Sequence, residues 1–189
     1  MYRDSRAYRI SLLLLLSVAA ILAPAVADDA EIDFSLIDHE GKTFHLHDLR
    51  GKVVLVFFGY TLCPDVCPIE LQYMASALQR LDDAAEHARG LFITVDPEHD
   101  SPEVLSQYLK FFGAGMVGLT GTKQQIELAA LQFKVTYQKN SRSDNQYTMD
   151  HTANLFVIDQ GGTLSAIVPF GFPAAHIESL LREMVAAEQ

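Results

Sequence analysis

The chemistry available to this chain is concentrated in Leu62-Cys63-Pro64-Asp65-Val66-Cys67-Pro68, which contains both of its two cysteines. Two thiols cannot form the dense disulfide framework of a small secreted scaffold. A thiolate pair is a soft ligand set that favours Cu(I) or Zn, and an added imidazole would make a three-ligand site suited to copper in either oxidation state. The three intervening residues depart from the Cys-x-x-Cys of dithiol oxidoreductases and leave room for a metal between the sulfurs, while a disulfide stays sterically open. Spacing alone therefore leaves three readings standing: metal site, redox pair and inert bridge.

Pro68 suits a first helical position and disfavours helical geometry in the residue before it, so the pattern predicts Cys67 at the N-cap and Cys63 in the preceding loop. Glu70 would then be the third helical residue. Free N–H groups and the positive helix end would lower the pKa of Cys67, opposed by Asp65 and Glu70. A third metal ligand must come from the seven histidines. His87 lies in a charged stretch, His45 and His47 in a predicted hairpin strand, and His176 near the last helix. His151 differs, because Asp150-His151-Thr152 immediately precedes the apolar segment Asn154 to Ile158, where a side chain can be held firmly yet stay accessible. Ligation and a structural role are both open for it at this point.

The elements that must carry these residues follow from apolar patterning. Ala30 to Asp48 reads as a hairpin turning at Glu40-Gly41, and Lys52 to Phe58 as a strand covered on both faces, the centre of the sheet. Pro68 to Leu81 is a helix with one apolar face, Leu91 to Val95 a strand, and Ser101-Pro102-Glu103 opens a helix running to Phe112. Val117 to Leu119 reads as a short strand and Lys123 to Phe133 as a helix. Lys134 to Met149 is a polar insertion, loop or hairpin, in which Lys139 to Tyr147 is the expected mobile part near His151. A terminal hairpin, Asn154 to Val168, and a helix, Ala174 to Ala187, close the chain. Strands alternating with helices imply an α/β domain, a central mixed sheet flanked by helices with right-handed crossovers. With the thiol pair after the central strand, the arrangement is thioredoxin-like.

Residues 1–27 read as a signal peptide: Arg3, Arg6 and Arg9, an apolar stretch from Ile10 to Leu22, and small residues up to Ala27. Cleavage after Ala27 is the expectation; retention of residues 10–22 as a membrane anchor is the alternative. Residues 28–189 are long enough for one well-packed domain. Cleavage removes three arginines and one aspartate, so the formal charge of −10 becomes −12. That sign repels nucleic acid and anionic lipid surfaces.

Phe58-Gly59-Tyr60-Thr61-Leu62-Cys63-Pro64-Asp65-Val66-Cys67-Pro68, then Thr94-Val95-Asp96-Pro97-Glu98-His99-Asp100-Ser101-Pro102-Glu103, then Asp150-His151-Thr152 before a strand, resemble the Sco/SenC family of copper chaperones over roughly residues 30–185. The resemblance implies a thioredoxin-like fold that binds one copper ion, Cu(I) or Cu(II), through Cys63, Cys67 and His151. It also implies a role in assembling the copper A centre in subunit II of cytochrome c oxidase, by delivering copper or by reducing the target's cysteine pair. The implied partners are that copper A domain or another copper protein, with an upstream copper donor or thiol reductant. Phe156 and Gln160 depart from the tyrosine and proline often found there, without touching the ligands. Asp96 and Asp150 recur in the family pattern, but turn formation and a local hydrogen bond explain them equally well.

The reading is of a periplasmic or otherwise exported metallochaperone, with thiol-disulfide exchange as the one enzymatic activity the pair would support. The rivals are a thiol-disulfide reductase with copper incidental, and a copper or redox sensing module. A peroxidase is disfavoured, since its cysteine needs an activating arginine and none occurs between Arg50 and Arg80.

Overall fold

A computed structural model describes residues 31–113, 115–141 and 147–187. Over these the chain runs β1 (Ser35–Asp38), β2 (Thr43–His45), β3 (Val53–Gly59), α1 (Val66–Gln79), β4 (Ala88–Thr94), α2 (Pro102–Leu109), β5 (Met116–Thr120), α3 (Lys123–Gln132), β6 (Tyr137–Ser141), β7 (Tyr147–His151), β8 (Leu155–Ile158), β9 (Leu164–Val168) and α4 (Ala174–Ala186). The predicted signal peptide, residues 1–27, lies outside the described residues, as does the anchor alternative. No helix among the described residues is long and apolar enough to cross a membrane.

Every residue of β3 is buried, as its uninterrupted apolar run requires of a strand covered on both faces. It sits between β4 and β8 in a seven-stranded sheet of order β2-β1-β5-β4-β3-β8-β9. β3, β4 and β5 are parallel neighbours, joined through α1 and α2. β1 and β2 extend one side of this trio and β8 and β9 the other, all antiparallel. The sheet is thus mixed and flanked by helices, as expected, and α1 and α4 pack against each other on it. Phe58, Phe133 and Phe156 meet edge to face in the core, with ring centroids 5.2 to 6.2 Å apart.

Local caps explain two helix starts. Ser101 accepts the Val104 N–H at 3.3 Å ahead of Pro102, and Thr122 with Gln125 forms a reciprocal capping box. α1 departs from expectation. It begins at Val66 with Asp65 as N-cap, so Cys67 lies inside the first turn and Glu70 is the fifth helical residue, not the third. The polar insertion is a two-stranded hairpin, β6 with β7, pairing Tyr137 with His151. Lys139 to Ser141 and Tyr147 of the segment expected to be mobile are strand residues, while 142–146 lie outside the described residues.

Candidate metal centre

Three side chains from two distant parts of the chain meet where β3 gives way to α1. After Gly59 the backbone turns, with the Cys63 N–H donating to the Tyr60 carbonyl at 3.2 Å. Asp65 makes no side-chain cap on α1. The Cys67 N–H donates instead to Cys63 Sγ at 3.4 Å, so a sulfur takes the place a capping oxygen normally occupies. Cys67 points inward and is fully buried, and Cys63 is half-buried. Gly59 makes room for this packing, since a Cβ there would lie 2.8 Å from Cys67 Sγ and 2.8 Å from Phe92 Cε2.

His151 arrives at the end of β7. Its ring stands edge-on to Phe57 and Tyr60, with centroids 6.1 and 6.0 Å away. Nδ1 lies 3.0 Å from the Thr152 carbonyl oxygen. A carbonyl only accepts, so Nδ1 carries the proton and donates, which leaves the Nε2 lone pair free. Nε2 lies 3.5 Å from Cys67 Sγ. Cys63 Sγ, Cys67 Sγ and a His151 ring nitrogen all lie within 4.8 Å of one another. Metal–sulfur and metal–nitrogen bonds of about 2.3 and 2.0 Å set a sulfur–nitrogen separation of about 3.7 Å in a trigonal site. The donor set and its spacing fit a soft or borderline ion.

The two sulfurs are not equivalent. The Cys67 thiol hydrogen bond holds the Cys63 pKa well below the ordinary thiol value against the opposing effect of burial, helped by the Asp65 and Cys67 N–H groups. The same hydrogen bond to Cys63, together with burial, pushes Cys67 up. This reverses the expectation that the helix N-terminus would acidify Cys67. The cause is the earlier helix start, which turns Cys67 into the core and leaves Cys63 facing the free N–H groups.

The other candidate histidines lie outside the cluster. His45 bonds Ser35, His47 bonds Asp33, His87 lies beside Glu86, and His176 packs on Phe172. The supporting polar residues had no signal in the spacing. Buried Asp100 holds Thr61 two residues before Cys63, and Asp96, besides closing its turn, accepts the Tyr147 hydroxyl. An open cleft of about 370 Å³ beside His151 is lined by Thr136, Tyr137, Gln138, Asp150 and Thr152.

A family model described as SCO1/SenC matches residues 23–186. A SCO2-like protein of Rickettsia felis is 39% identical over 132 residues, which cover 69% of this chain and 64% of that protein. The mitochondrial SCO2 homolog of Mus musculus is 32% identical over 158 residues, covering 82% of this chain and 62% of its own. The chain thus spans just under two thirds of the length of these curated relatives. Among solved structures, ScoI of Bradyrhizobium japonicum with copper bound is 33% identical with a TM-score of 0.76, covering 82% of this chain and 98% of that one. Yeast Sco1 with copper bound is 30% identical with a TM-score of 0.75, covering 84% and 90%. The mixed sheet and its flanking helices are therefore the thioredoxin-like fold of these structures.

Proposed function

Since the chain belongs to the SCO1/SenC family, we propose that it is an exported copper chaperone. In this reading it binds one copper ion, as Cu(I) or Cu(II), through Cys63, Cys67 and His151, and serves the copper A site of cytochrome c oxidase subunit II. The observation that carries the reading is the convergence of two sulfurs and an imidazole nitrogen within 4.8 Å, with the His151 tautomer set for ligation. Export, with cleavage after Ala27, rests on the basic and apolar pattern of residues 1–27.

The asymmetry of the pair gives an order to loading and release. Cys63, half-buried and readily ionised, meets the incoming ion first; Cys67 then loses its proton, so uptake releases protons to solvent. Release runs the other way. Cys63 and His151, both partly exposed, are the ligands an acceptor's thiolates can displace, and the cleft beside His151 offers the approach. Cys67 lets go last.

A second reading is supported by the same asymmetry. An acidified thiol beside a buried one suits thiol-disulfide exchange, with Cys63 Sγ attacking a target disulfide and Cys67 Sγ resolving the mixed disulfide. The target gains two electrons and a dithiol, and Cys63 and Cys67 end as a disulfide. Equilibrium dialysis with Cu(II) and Cu(I) separates the readings. Reduced protein should take up one copper with a sulfur-to-copper charge-transfer band, and oxidised protein essentially none. Equal, tight uptake by the oxidised form would contradict the scheme. Reduction of an oxidised copper A domain at full rate by His151→Ala would favour the reductase.

A further inference from the structure

Among the described residues β7 pairs with β6 alone, and His151 joins the seven-stranded sheet only through the short link to β8, whose Leu155 pairs with Phe57 of β3. Beyond that link, both ligand-bearing segments are tied to one stretch, Asp96 to Asp100, between β4 and α2. Asp100 is fully buried and its carboxyl oxygens accept four hydrogen bonds. Two come from Thr61, whose N–H lies 3.0 Å from Oδ2 and whose hydroxyl lies 2.6 Å from Oδ1. The others come from the Thr94 hydroxyl at 2.6 Å and His99 Nδ1 at 2.8 Å. Holding Thr61 by backbone and side chain together fixes both the position and the direction of the turn that ends at Cys63.

The opposite end of the stretch holds the hairpin. The Asp96 N–H donates to Thr94 Oγ1 at 2.9 Å, and its carbonyl accepts the Asp100 N–H at 2.9 Å, so the two aspartates form one hydrogen-bonded unit. Asp96 Oδ2 accepts the hydroxyl of Tyr147 in β7. Tyr147 and His151 are four residues apart on one strand and so share a face. Glu98 adds ion pairs to Lys139 of β6 and Lys123 of α3, but these are exposed and contribute little.

We propose that the Asp96–Asp100 stretch sets the separation of Cys63 and His151, with Asp100 positioning the cysteine turn through Thr61 and Asp96 positioning the histidine hairpin through Tyr147. The inference rests on the copper reading above. It makes two remote pairs of residues act on different ligands. Loosening Thr61 disturbs a thiolate that both copper oxidation states use. Loosening Tyr147 disturbs the imidazole, on which Cu(II) depends more than Cu(I) does.

The test uses the reduced full-length chain with Thr61→Val, Tyr147→Phe and Asp100→Ala, reading Cu(I) and Cu(II) affinity by competition, the Cu(II) optical and electron-spin spectra, and the melting temperature. Tyr147→Phe should weaken Cu(II) about tenfold and Cu(I) at most about threefold. Thr61→Val should weaken both about tenfold and shift the charge-transfer band. Asp100→Ala should do more than Thr61→Val; if it fails to fold, the two milder variants still decide. Folded Thr61→Val and Tyr147→Phe proteins with wild-type spectra and affinities would overturn the proposal. In metal-free protein, Thr61→Val should change the alkylation rate of Cys63 at least about threefold. A wild type that takes up no copper sinks the chaperone function, and the alkylation rate then judges the positioning role by itself.

Discussion

Cys67 Sγ and His151 Nε2 lie 3.5 Å apart although 84 positions separate them in the chain. The contact exists because α1 starts early enough to turn Cys67 toward the sheet, while Tyr60 and Phe57 wall the imidazole in from the side. The Thr152 carbonyl then fixes which ring nitrogen faces the sulfur. Each feature is needed. A histidine of the other tautomer would present a proton to the metal position.

The first prediction follows from that ring. His151→Ala leaves the thiol pair in place, and Cu(I) is satisfied by two thiolates, whereas Cu(II) needs the borderline nitrogen. Cu(II) affinity should fall about a hundredfold or more, beyond the 10–100-fold typical of losing a supporting residue. Cu(I) affinity should fall far less. Competition titrations with chelators for each ion check this, and an equal loss for both ions would remove His151 from the ligand set.

Packing around the buried sulfur gives the second. At Gly59 even a methyl group would sit 2.8 Å from both Cys67 Sγ and the Phe92 ring, distances that real Cβ atoms do not show. Neither neighbour can retreat easily, because Phe92 is fully buried and Cys67 is part of a helix turn. Gly59→Ala should lower unfolding free energy by about 1–3 kcal/mol and displace the sulfur. Urea denaturation reads the first effect and the Cu(II) charge-transfer band the second. Wild-type values for both would show that the space is larger than described.

How much of this was legible beforehand depended on whether the information was local. The β3 run from Val53 and the short apolar strands carry their burial in their own residue types, and Ser101-Pro102 marks the start of α2 locally. The polar insertion left loop and hairpin both open, because Met149 is the one buried residue of β6 and β7 and gives too little apolar alternation to mark a strand. The α1 start at Val66 precedes the expected one for a physical reason. The first-turn N–H groups of any helix lack partners, so a proline is tolerated at Pro68, the third helical position, and does not mark the first. His151 could not be chosen among seven histidines by spacing; the resemblance chose it. Asp100 was invisible because its partner Thr61 lies 39 positions away.

The third prediction concerns the two sulfurs. Cys63 is half-exposed with its pKa held down by the hydrogen bonds it accepts, and Cys67 is buried with its pKa pushed up. At neutral pH, substoichiometric iodoacetamide should therefore label Cys63 first. Cys67 should react at a comparable rate only after denaturation. Mass mapping of the singly alkylated protein checks the order, and preferential labelling of Cys67 would reverse the roles assigned to the pair.

Glu70 supplies the last. It is fully buried on α1; Oε2 accepts the Gly171 N–H at 3.3 Å, and Oε1 has no hydrogen-bond partner among the described residues. Burial raises its pKa from 4.5 to about 6, against the lowering effect of the Gly171 bond. Between those values the folded protein holds a proton that the unfolded chain has released, so stability decreases as pH rises through the window and levels off above about 6. The shift corresponds to about 2 kcal/mol, present below pH 4.5 and lost at neutrality. Glu70→Gln, which cannot ionise, should lack this component. Chemical denaturation of both proteins across pH 4 to 7 measures it as the difference between the two curves; parallel curves would show that Glu70 titrates no differently in the folded and unfolded chains.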